Sequence, residues 1–398
     1  MITINKIIIN KKQLLFERKL ITLDVDKSIK PNFADTIRFP LRSAYMNNSK
    51  GKVLANFIYN KKKYPAIIKN NKEIILNFDP EETINYILEE SYIRKTRPIH
   101  SYSPIHYHKI PFRILLTKLK YFSKKQKPEF PAWPIESSIE SIRYIVSRLK
   151  NQKQKPLWPN NKKFAVALTH DVDTLEGFKS INQFMEIEKR YNMRSTWYIV
   201  SNYYPLAKST LNNLKEQGHE IGWHGYNHDN KIAYLKKESI KKRIKKSMLF
   251  FKQNNVKGFR SPSLLTTPIL EKEISKILLY DSSTVDTDPF LADNPSRGCC
   301  SVFPFHKNNQ LIIPITVPMD ASLICAGFSS EEIYNLWIKK IDWIKSIGGV
   351  AVITTHTEKH YSANKQMLTI YEKLLKHLSK EDAWIVTMAE IAEWWKKR

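Results

Sequence analysis

The chain has 398 residues, 42% of them hydrophobic and 12% aromatic, which is enough for two domains or for one barrel with a large extension. Lysine and arginine outnumber aspartate and glutamate by 65 to 38, so the net charge is +27 and an anionic partner would be favoured. An AT-rich genome would also produce this lysine surplus, and no nucleic-acid-binding motif accompanies it. We therefore predict no specific nucleic-acid partner.

The cysteines and the apolar runs bear on where the protein acts. Three cysteines, Cys299, Cys300 and Cys325, form no C-x-x-C, so neither a disulfide framework nor a zinc knuckle is indicated. Asn and Lys interrupt the apolar N-terminal run, and no stretch approaches the roughly 20 apolar residues of a membrane span. We expect a cytoplasmic protein. The basic stretch around Lys236–Lys246 could give weak association with an anionic membrane surface, although it also suits the solvated face of an outer helix.

Residues 1–155 are predicted to form an α+β domain with a connector, and their role stays open. Short β-like runs cover Lys52–Ile58, Tyr64–Ile68 and Glu73–Phe78, and a helix is predicted over Pro80–Ser91 with Asp79 as its N-cap. A proline-rich connector, residues 97–134, carries His100, His106 and His108, for which a metal site is conceivable but lacks an acidic or cysteine partner. A helix is predicted over Ile135–Leu149.

Residues 156–398 alternate strand, loop and helix patterns. Strands are predicted over Phe164–Thr169, Thr196–Val200, Glu220–Trp223, Gly258–Arg260, Leu279–Asp281, Leu311–Ile315 and Val350–Thr355, with Trp384–Thr387 as an eighth. Helices are predicted over Phe178–Tyr191, Lys208–Gln217, Ile232–Gln253, Pro268–Leu278, Ser330–Ser346 and Ala363–Leu378. The alternation favours an α/β fold, a distorted (β/α) barrel of seven or eight units.

Polar side chains follow five of these strands at the point where each ends. They are Asp171 and Asp173, His224 and His228, Arg260, Asp281, and His356. Two aspartates after one strand would by themselves suit a turn or a helix cap. Active sites of such barrels lie at the C-terminal strand ends, so the five coincidences favour a catalytic site.

The residue types at these strand ends suit metal-assisted hydrolysis. His224 and His228 are spaced i, i+4, which one helical turn would place on one side, close enough to share a metal. With a carboxylate such as Asp173 they would form a two-histidine, one-carboxylate set with open positions, leaving Asp171 as an unligated base. His356 could donate a proton to a leaving group or be structural.

Together these segments resemble the polysaccharide deacetylase (NodB-homology) family of carbohydrate esterases, in particular a branch whose first motif reads His-Asp-Val-Asp. The resemblance covers about 160–398. It implies a distorted (β/α) barrel, a divalent metal, usually zinc, and hydrolysis of an N-acetyl group from an amino sugar. For the first two motifs it implies that Asp171 is the base and that Asp173, His224 and His228 hold the metal.

The later motifs imply further roles. Arg260 would orient Asp171, the backbone N–H of Ser263 would help to bind the oxyanion, and Asp281 would support the acid, His356. Val172 separates the two aspartates that are adjacent in the usual motif, so the roles of Asp171 and Asp173 could be exchanged. Asp286 or Asp288 could replace Asp281.

The implied substrate is an amino sugar in a glycan. The expected cytoplasmic location and the positive charge favour a nucleotide- or lipid-phosphate-linked sugar used in surface-polysaccharide synthesis. Two alternatives stay open: hydrolysis of another non-peptide C–N bond, as in a cyclic amide or imide, and a catalytically inactive glycan-binding homologue. The sequence does not indicate an oligomeric state.

Overall fold

A computed structural model describes residues 6–47, 49–71, 73–93, 97, 102, 138–152, 156–287 and 298–398. These residues divide into two compact units. Within the described residues, the first unit comprises 6–93, 138–152, 156 and 298–301, and the second comprises 97, 102, 157–287 and 302–398. The first unit therefore takes up a short segment from late in the chain. The proline-rich connector with its three histidines lies almost entirely outside the described residues.

The first unit contains one sheet and two described helices. Its strands are β1 (Lys6–Ile9), β2 (Gln13–Val25), β3 (Ile37–Met46), β4 (Lys52–Tyr59), β5 (Lys62–Lys69) and β6 (Glu73–Leu76). The sheet order is β1-β6-β5-β4-β2-β3. Helix α1 (Pro80–Leu88) begins at Asp79, whose side chain accepts hydrogen bonds from the N–H groups of Glu81 and Glu82, as predicted. Helix α2 spans Ser138–Leu149.

The second unit contains one large sheet and eight described α-helices. Its strands are β7 (Phe164–Val172), β8 (Ser195–Ile199), β9 (Glu220–Trp223), β10 (Gly258–Phe259), β11 (Tyr280–Asp281), β12 (Phe305–Lys307), β13 (Gln310–Ile312), β14 (Val350–His356) and β15 (Ala383–Ile385). Its helices are α3 (Leu175–Arg190), α4 (Lys208–Glu216), α5 (Lys237–Asn254), α6 (Pro268–Ile274), α7 (Asp320–Cys325), α8 (Ser330–Ile347), α9 (Lys365–Leu378) and α10 (Met388–Lys396).

Seven described strands of this sheet run parallel in the order β14-β7-β8-β9-β10-β11-β13. All nine residues of β7 are buried, as expected for a parallel strand that is covered on both faces. The α/β class predicted from the sequence is confirmed. The sheet is not a regular series of eight strand–helix units, because β12 is antiparallel to β13 and β15 pairs with the start of β7. Strand β12 and helices α7 and α10 were not predicted.

The segment after β13 connects the far side of the sheet to β14. The Thr316 hydroxyl donates to the Val350 carbonyl at 2.6 Å and accepts from the Val352 N–H at 2.8 Å, and the Val317 N–H donates to the Val352 carbonyl at 3.2 Å. These bonds curl the parallel strands around a common interior. The ends of β7 and β14 therefore face the loops that follow β9, β10 and β13.

Two tyrosines fill that interior. Tyr198 and Tyr280 are fully buried, and the Tyr198 hydroxyl donates to the Tyr280 oxygen at 3.0 Å. The Tyr280 hydroxyl donates to Glu220 Oε1 at 2.8 Å. Neighbouring glycines make room for the rings, since a Cβ at Gly222 would lie 2.6 Å from Tyr198 Cδ1 and one at Gly258 would overlap the Tyr280 ring.

Helix α5 is the basic helix noted in the sequence. Ile240 and Ile244 are buried, but Met248 is 44% exposed and Leu249 is 66% exposed. Met248 therefore turns outwards and is not part of the buried face of this helix. Among the described residues, every helix is too short or too polar to cross a membrane.

Candidate active site

The ends of β7 and β14 bring a carboxylate and an imidazole side by side. His356 and Asp171 are register partners across these parallel strands, and Asp171 is also opposite Tyr198 of β8. Asp171 Oδ2 lies 4.0 Å from His356 Nε2, and Asp171 is 2% exposed. Because both strands end here, the side chains meet at the rim of the sheet, where the sequence predicted a site.

Three further side chains form a cluster with the geometry of a metal site. The ligand atoms of Asp173, His224 and His228 all lie within 4.8 Å of one another, and all three residues are buried. Each histidine Nε2 is 3.1 Å from Asp173 Oδ1. His224 Nδ1 lies 2.9 Å from the Arg260 carbonyl. A proton on Nδ1 would leave the lone pair of Nε2 available to a cation. The donor set therefore fits a divalent metal of the kind that imidazole and carboxylate bind.

The two histidines meet in a different way from the one predicted. Residues 224–230 form a loop after β9, not a helical turn. Gly225 has φ +80°, and His228 itself has φ +49°. This left-handed backbone turns the chain back, so that the two imidazole centroids lie 5.0 Å apart. A side chain at Gly225 would also press on Pro262, whose Cγ lies 3.0 Å from the position of a Cβ.

Arg260 is fully buried and binds Oδ1 of Asp171, the oxygen that does not face His356. Its Nη1 donates to Asp171 Oδ1 at 2.8 Å and to Thr169 Oγ1 at 3.0 Å, and its guanidinium lies 4.1 Å over the Tyr198 ring. Burial by itself would raise the pKa of Asp171, but the charges of Arg260 and then of His224 and His356 outweigh it and hold that pKa below its usual value. Asp171 is therefore ionised and presents Oδ2 towards His356.

His356 is held by a carboxylate that the sequence reading missed. Its Nδ1 lies 2.7 Å from Asp320 Oδ1, and its backbone N–H donates to Asp320 Oδ2 at 2.7 Å. The Ser362 hydroxyl also donates to Asp320 Oδ2, at 2.6 Å. Burial opposes protonation of His356, but the Asp320 charge and hydrogen bond outweigh it and raise the pKa of His356 to about 10. The imidazole is thus cationic at neutral pH, with Nε2 directed at Asp171.

The carboxylate that meets His356 is therefore Asp320 and not Asp281. Asp281 Oδ1 instead accepts the Ser283 N–H at 2.7 Å, and burial raises the pKa of Asp281 to about 6. Of the two alternatives, Asp286 pairs with the buried Lys340 at 2.8 Å, and Asp288 lies outside the described residues. Asp281 ends β11 and Asp286 follows it, whereas Asp320 begins α7 after β13.

Ser263 follows the proline of the third predicted motif. Pro262–Leu264 form a short 3-10 turn in which Ser263 has φ 53° and ψ 21°. The Ser261 N–H donates to Ser283 Oγ at 2.8 Å, which ties the turn to the segment after β11. Ser263 is exposed at this turn, a short distance after Arg260, which follows β10.

A second buried carboxylate, Glu358, lies two residues after His356. Its Oε1 accepts hydrogen bonds from the Asp173 N–H at 3.1 Å, the Thr174 N–H at 3.0 Å and the Thr174 hydroxyl at 2.9 Å. Burial first, and then the charge of Asp173, raise the pKa of Glu358 to about 8. Asp320 and Glu358 were both overlooked, although each lies within a few residues of a predicted strand end.

Another buried network lies behind β7. His170 points away from Asp171, because neighbouring strand residues face opposite sides, and its Nε2 lies 2.7 Å from Glu188 Oε1 of α3. Ser195 and Tyr371 donate to the same carboxylate, at 2.7 Å and 2.5 Å. Burial would raise the pKa of Glu188, but the charge and hydrogen bond of His170, the charge of His219 and the hydrogen bond of Tyr371 lower it. This network ties α3 and α9 to the strand that carries Asp171.

The fold and the clustered side chains define an α/β protein with a site suited to hydrolysis. Residues 159–278 match the family model described as polysaccharide deacetylase. A peptidoglycan deacetylase from Helicobacter pylori is 26% identical over 255 residues, which cover 56% of this chain and 85% of that protein. Over residues 159–278 the resemblance to the polysaccharide deacetylase family that the motifs predicted is confirmed; the His-Asp-Val-Asp branch stays a prediction.

Two solved structures resemble the chain more distantly. An allantoinase is 14% identical with a TM-score of 0.49, over 62% of this chain and 95% of that one. A peptidoglycan deacetylase from Bacillus subtilis is 18% identical with a TM-score of 0.41, over 61% of this chain and 95% of that one. Both scores are below 0.5, so neither structure indicates an activity for this chain.

Proposed function

We propose that this protein is a metal-dependent hydrolase that removes the N-acetyl group from an amino sugar in a glycan or in a nucleotide- or lipid-linked precursor. The observation that carries the proposal is the position of the Asp173, His224 and His228 cluster beside Asp171 and His356. Such a set supplies a cation site, a base and an acid within one rim, and amide hydrolysis needs all three. The name of the Helicobacter pylori relative supports a glycan as the substrate class.

Asp173, His224 and His228 would hold the cation, which we take to be zinc because two imidazoles and one carboxylate are ligands that zinc favours. When bound, the cation supplies Lewis acidity towards the acetyl oxygen and the attacking water. Two histidines and a carboxylate leave coordination positions open, so the site is catalytic in form and not a closed structural one.

Asp171 accepts the proton of the attacking water. Arg260 occupies Oδ1, so Oδ2 is the oxygen that faces the rim, and the low pKa of the carboxyl keeps it ionised. The water oxygen bonds to the acetyl carbon, and the carbonyl oxygen gains the negative charge. The backbone N–H of Ser263 helps to stabilise this oxyanion.

His356 supplies the proton that the departing amine requires. Its raised pKa keeps it protonated, and Asp320 orients Nε2 towards the rim by binding Nδ1. Transfer of this proton to the nitrogen accompanies cleavage of the C–N bond, which gives acetate and the free amino sugar. Asp171 and His356 are register partners on neighbouring strands, so the base and the acid act on the same bond from one edge of the sheet.

An assay of acetate release tests this proposal. The zinc-loaded protein would be incubated with N-acetylglucosamine oligomers, peptidoglycan fragments, nucleotide-linked acetamido sugars and, as the rival class, cyclic amides and imides. Acetate release from at least one acetamido sugar, abolished in His356→Ala, is the expected result. Ring opening of a cyclic amide without acetate release would assign the other hydrolase class, and glycan binding without turnover would indicate an inactive homologue. The cytoplasmic location and the weak membrane association stay predictions.

A further inference from the structure

The backbone around Asp173 is held from both sides by side chains outside the motifs. The Tyr204 hydroxyl donates to the Val172 carbonyl at 2.6 Å. On the other side, Glu358 Oε1 receives the Asp173 N–H and both donors of Thr174, at 2.9 to 3.1 Å. The direction of the Asp173 carboxylate therefore depends on two peptide groups that are each fixed by a hydrogen bond.

Glu358 is itself firmly placed. It is 1% exposed, and its carbonyl accepts the N–H groups of Tyr361 at 2.9 Å and Ala363 at 3.1 Å. It therefore links the loop that follows His356 to the end of β7. Three hydrogen bonds to one carboxyl oxygen make a directional anchor for a turn.

The first turn of α3 is shaped to admit this carboxylate. Thr174 caps the helix by accepting the Gly177 N–H at 3.2 Å, and Gly177 packs against the Glu358 carboxyl. A Cβ at Gly177 would overlap Glu358 Oε1 and lie 2.7 Å from Thr357 Oγ1. Any side chain at residue 177 would displace Glu358.

We infer that Glu358 is a positioning residue for the metal site: it fixes the peptide of Asp173 so that the carboxylate meets both His224 and His228. The role rests on the proposed metal site, because it acts through a ligand of that site. Outer groups that orient ligands commonly change metal affinity by about 10- to 100-fold when removed.

Zinc affinity, measured by titration calorimetry on metal-free protein, tests this role without reference to turnover. Glu358→Ala is expected to weaken zinc binding by about 10- to 100-fold. Glu358→Gln keeps an oxygen that accepts the same three donors, and its amide takes the place of Oε2, which has no hydrogen-bond partner among the described residues. This variant should bind within about threefold of wild type, because the acceptor geometry is kept.

Gly177→Ala provides an independent route to the same defect. It should weaken zinc binding like Glu358→Ala, and the double variant should lose little more, because both changes act on one contact. Glu176→Ala, which removes an exposed carboxylate from the same helical turn, is the matched control and should bind as wild type does. Thermal unfolding of each metal-free variant identifies any that have lost the fold.

The outcomes separate the two claims. Wild-type zinc affinity in a folded Glu358→Ala protein would overturn the positioning role and leave the metal site intact. Equal losses in Glu358→Ala and Glu358→Gln would also overturn it, since the effect would then follow charge and not the three hydrogen bonds. A wild-type protein that binds no zinc would overturn the metal site and this role together, whereas zinc binding without acetate release would reject only the proposed reaction.

Discussion

His356 Nδ1 and Asp320 Oδ1 lie 2.7 Å apart, and the other oxygen of Asp320 accepts the backbone N–H of His356 at 2.7 Å. One carboxylate thus binds both the ring and the main chain of the same histidine. The arrangement fixes the tautomer and the rotamer together, so that Nε2 is the nitrogen left to exchange protons with a substrate.

Replacing Asp320 by Asn should lower the pKa of His356. The wild-type imidazole is protonated up to a pH of about 10, so wild-type activity should fall only as the pH rises through that value. In the variant, burial still opposes protonation of His356, but the Asp320 charge that favoured protonation is gone. The alkaline limb of kcat therefore moves to lower pH, and the rate at pH 7 falls about 100-fold. A pH–rate profile measures both effects. Asp342→Asn, which changes an exposed carboxylate, should leave the pH–rate profile unchanged. An alkaline limb that does not shift in Asp320→Asn would argue against the role of Asp320 in raising the pKa of His356.

Metal binding should stabilise the folded protein. Because the three ligands converge only in the folded chain, zinc at about 100 times its dissociation constant should add about 2.7 kcal/mol to the free energy of unfolding. Thermal unfolding with and without chelator measures this gain. The gain should vanish in His224→Ala and persist in His306→Ala, which alters an exposed histidine of β12. If zinc still stabilises His224→Ala against thermal unfolding, the cation binds at a site other than Asp173, His224 and His228.

Adding a methyl group at Gly222 should destabilise the interior of the sheet. The new Cβ would lie 2.6 Å from Tyr198 Cδ1, so the ring that supports Arg260 must move. We expect Gly222→Ala to cost about 1–3 kcal/mol, measured by urea unfolding. The same change in a Tyr198→Ala background should cost much less, because the clash is then absent. Equal costs in both backgrounds would show that the ring is not the obstacle.

Glu188 should matter to stability more than its distance from the site suggests. It is buried with His170, so Glu188→Gln is expected to cost about 3–5 kcal/mol by leaving a buried partner uncompensated. Since the folded pKa of Glu188 lies below 4.5, the contribution of its charge is present above pH 4.5 and is lost as the pH falls through the folded pKa. Urea unfolding at pH 7 and pH 4 tests this: the acid loss should be smaller in Glu188→Gln than in wild type. Glu186→Gln, exposed on the same helix, should resemble wild type.

Much of the site was predictable because parallel strands end at one edge. Asp171, Asp173, Arg260 and His356 follow short apolar runs, and the rule that such ends converge brings them together without knowledge of the loops. His224 and His228 were correctly grouped for an incorrect reason. Their contact comes from left-handed residues in a loop, which the i, i+4 spacing does not reveal.

Asp320 and Glu358 were missed for a different physical reason. Asp320 reaches His356 only because the segment after β13 bonds to β14 through Thr316 and Val317, a long-range pairing that no local periodicity encodes. Glu358 acts on Asp173 across 185 positions of sequence. The sequence motifs therefore predicted the acid-supporting role for Asp281, which is close in sequence to the third motif but is bound to Ser283.

Asp171 and Asp173, which Val172 separates, have different proposed roles, the first as the base and the second as a metal ligand. Zinc affinity and acetate release measured together on Asp171→Asn and Asp173→Asn test these roles directly. We predict that Asp171→Asn binds zinc as tightly as wild type but releases no acetate, and that Asp173→Asn loses zinc binding. Loss of zinc in Asp171→Asn with binding intact in Asp173→Asn would contradict this account and exchange the two roles.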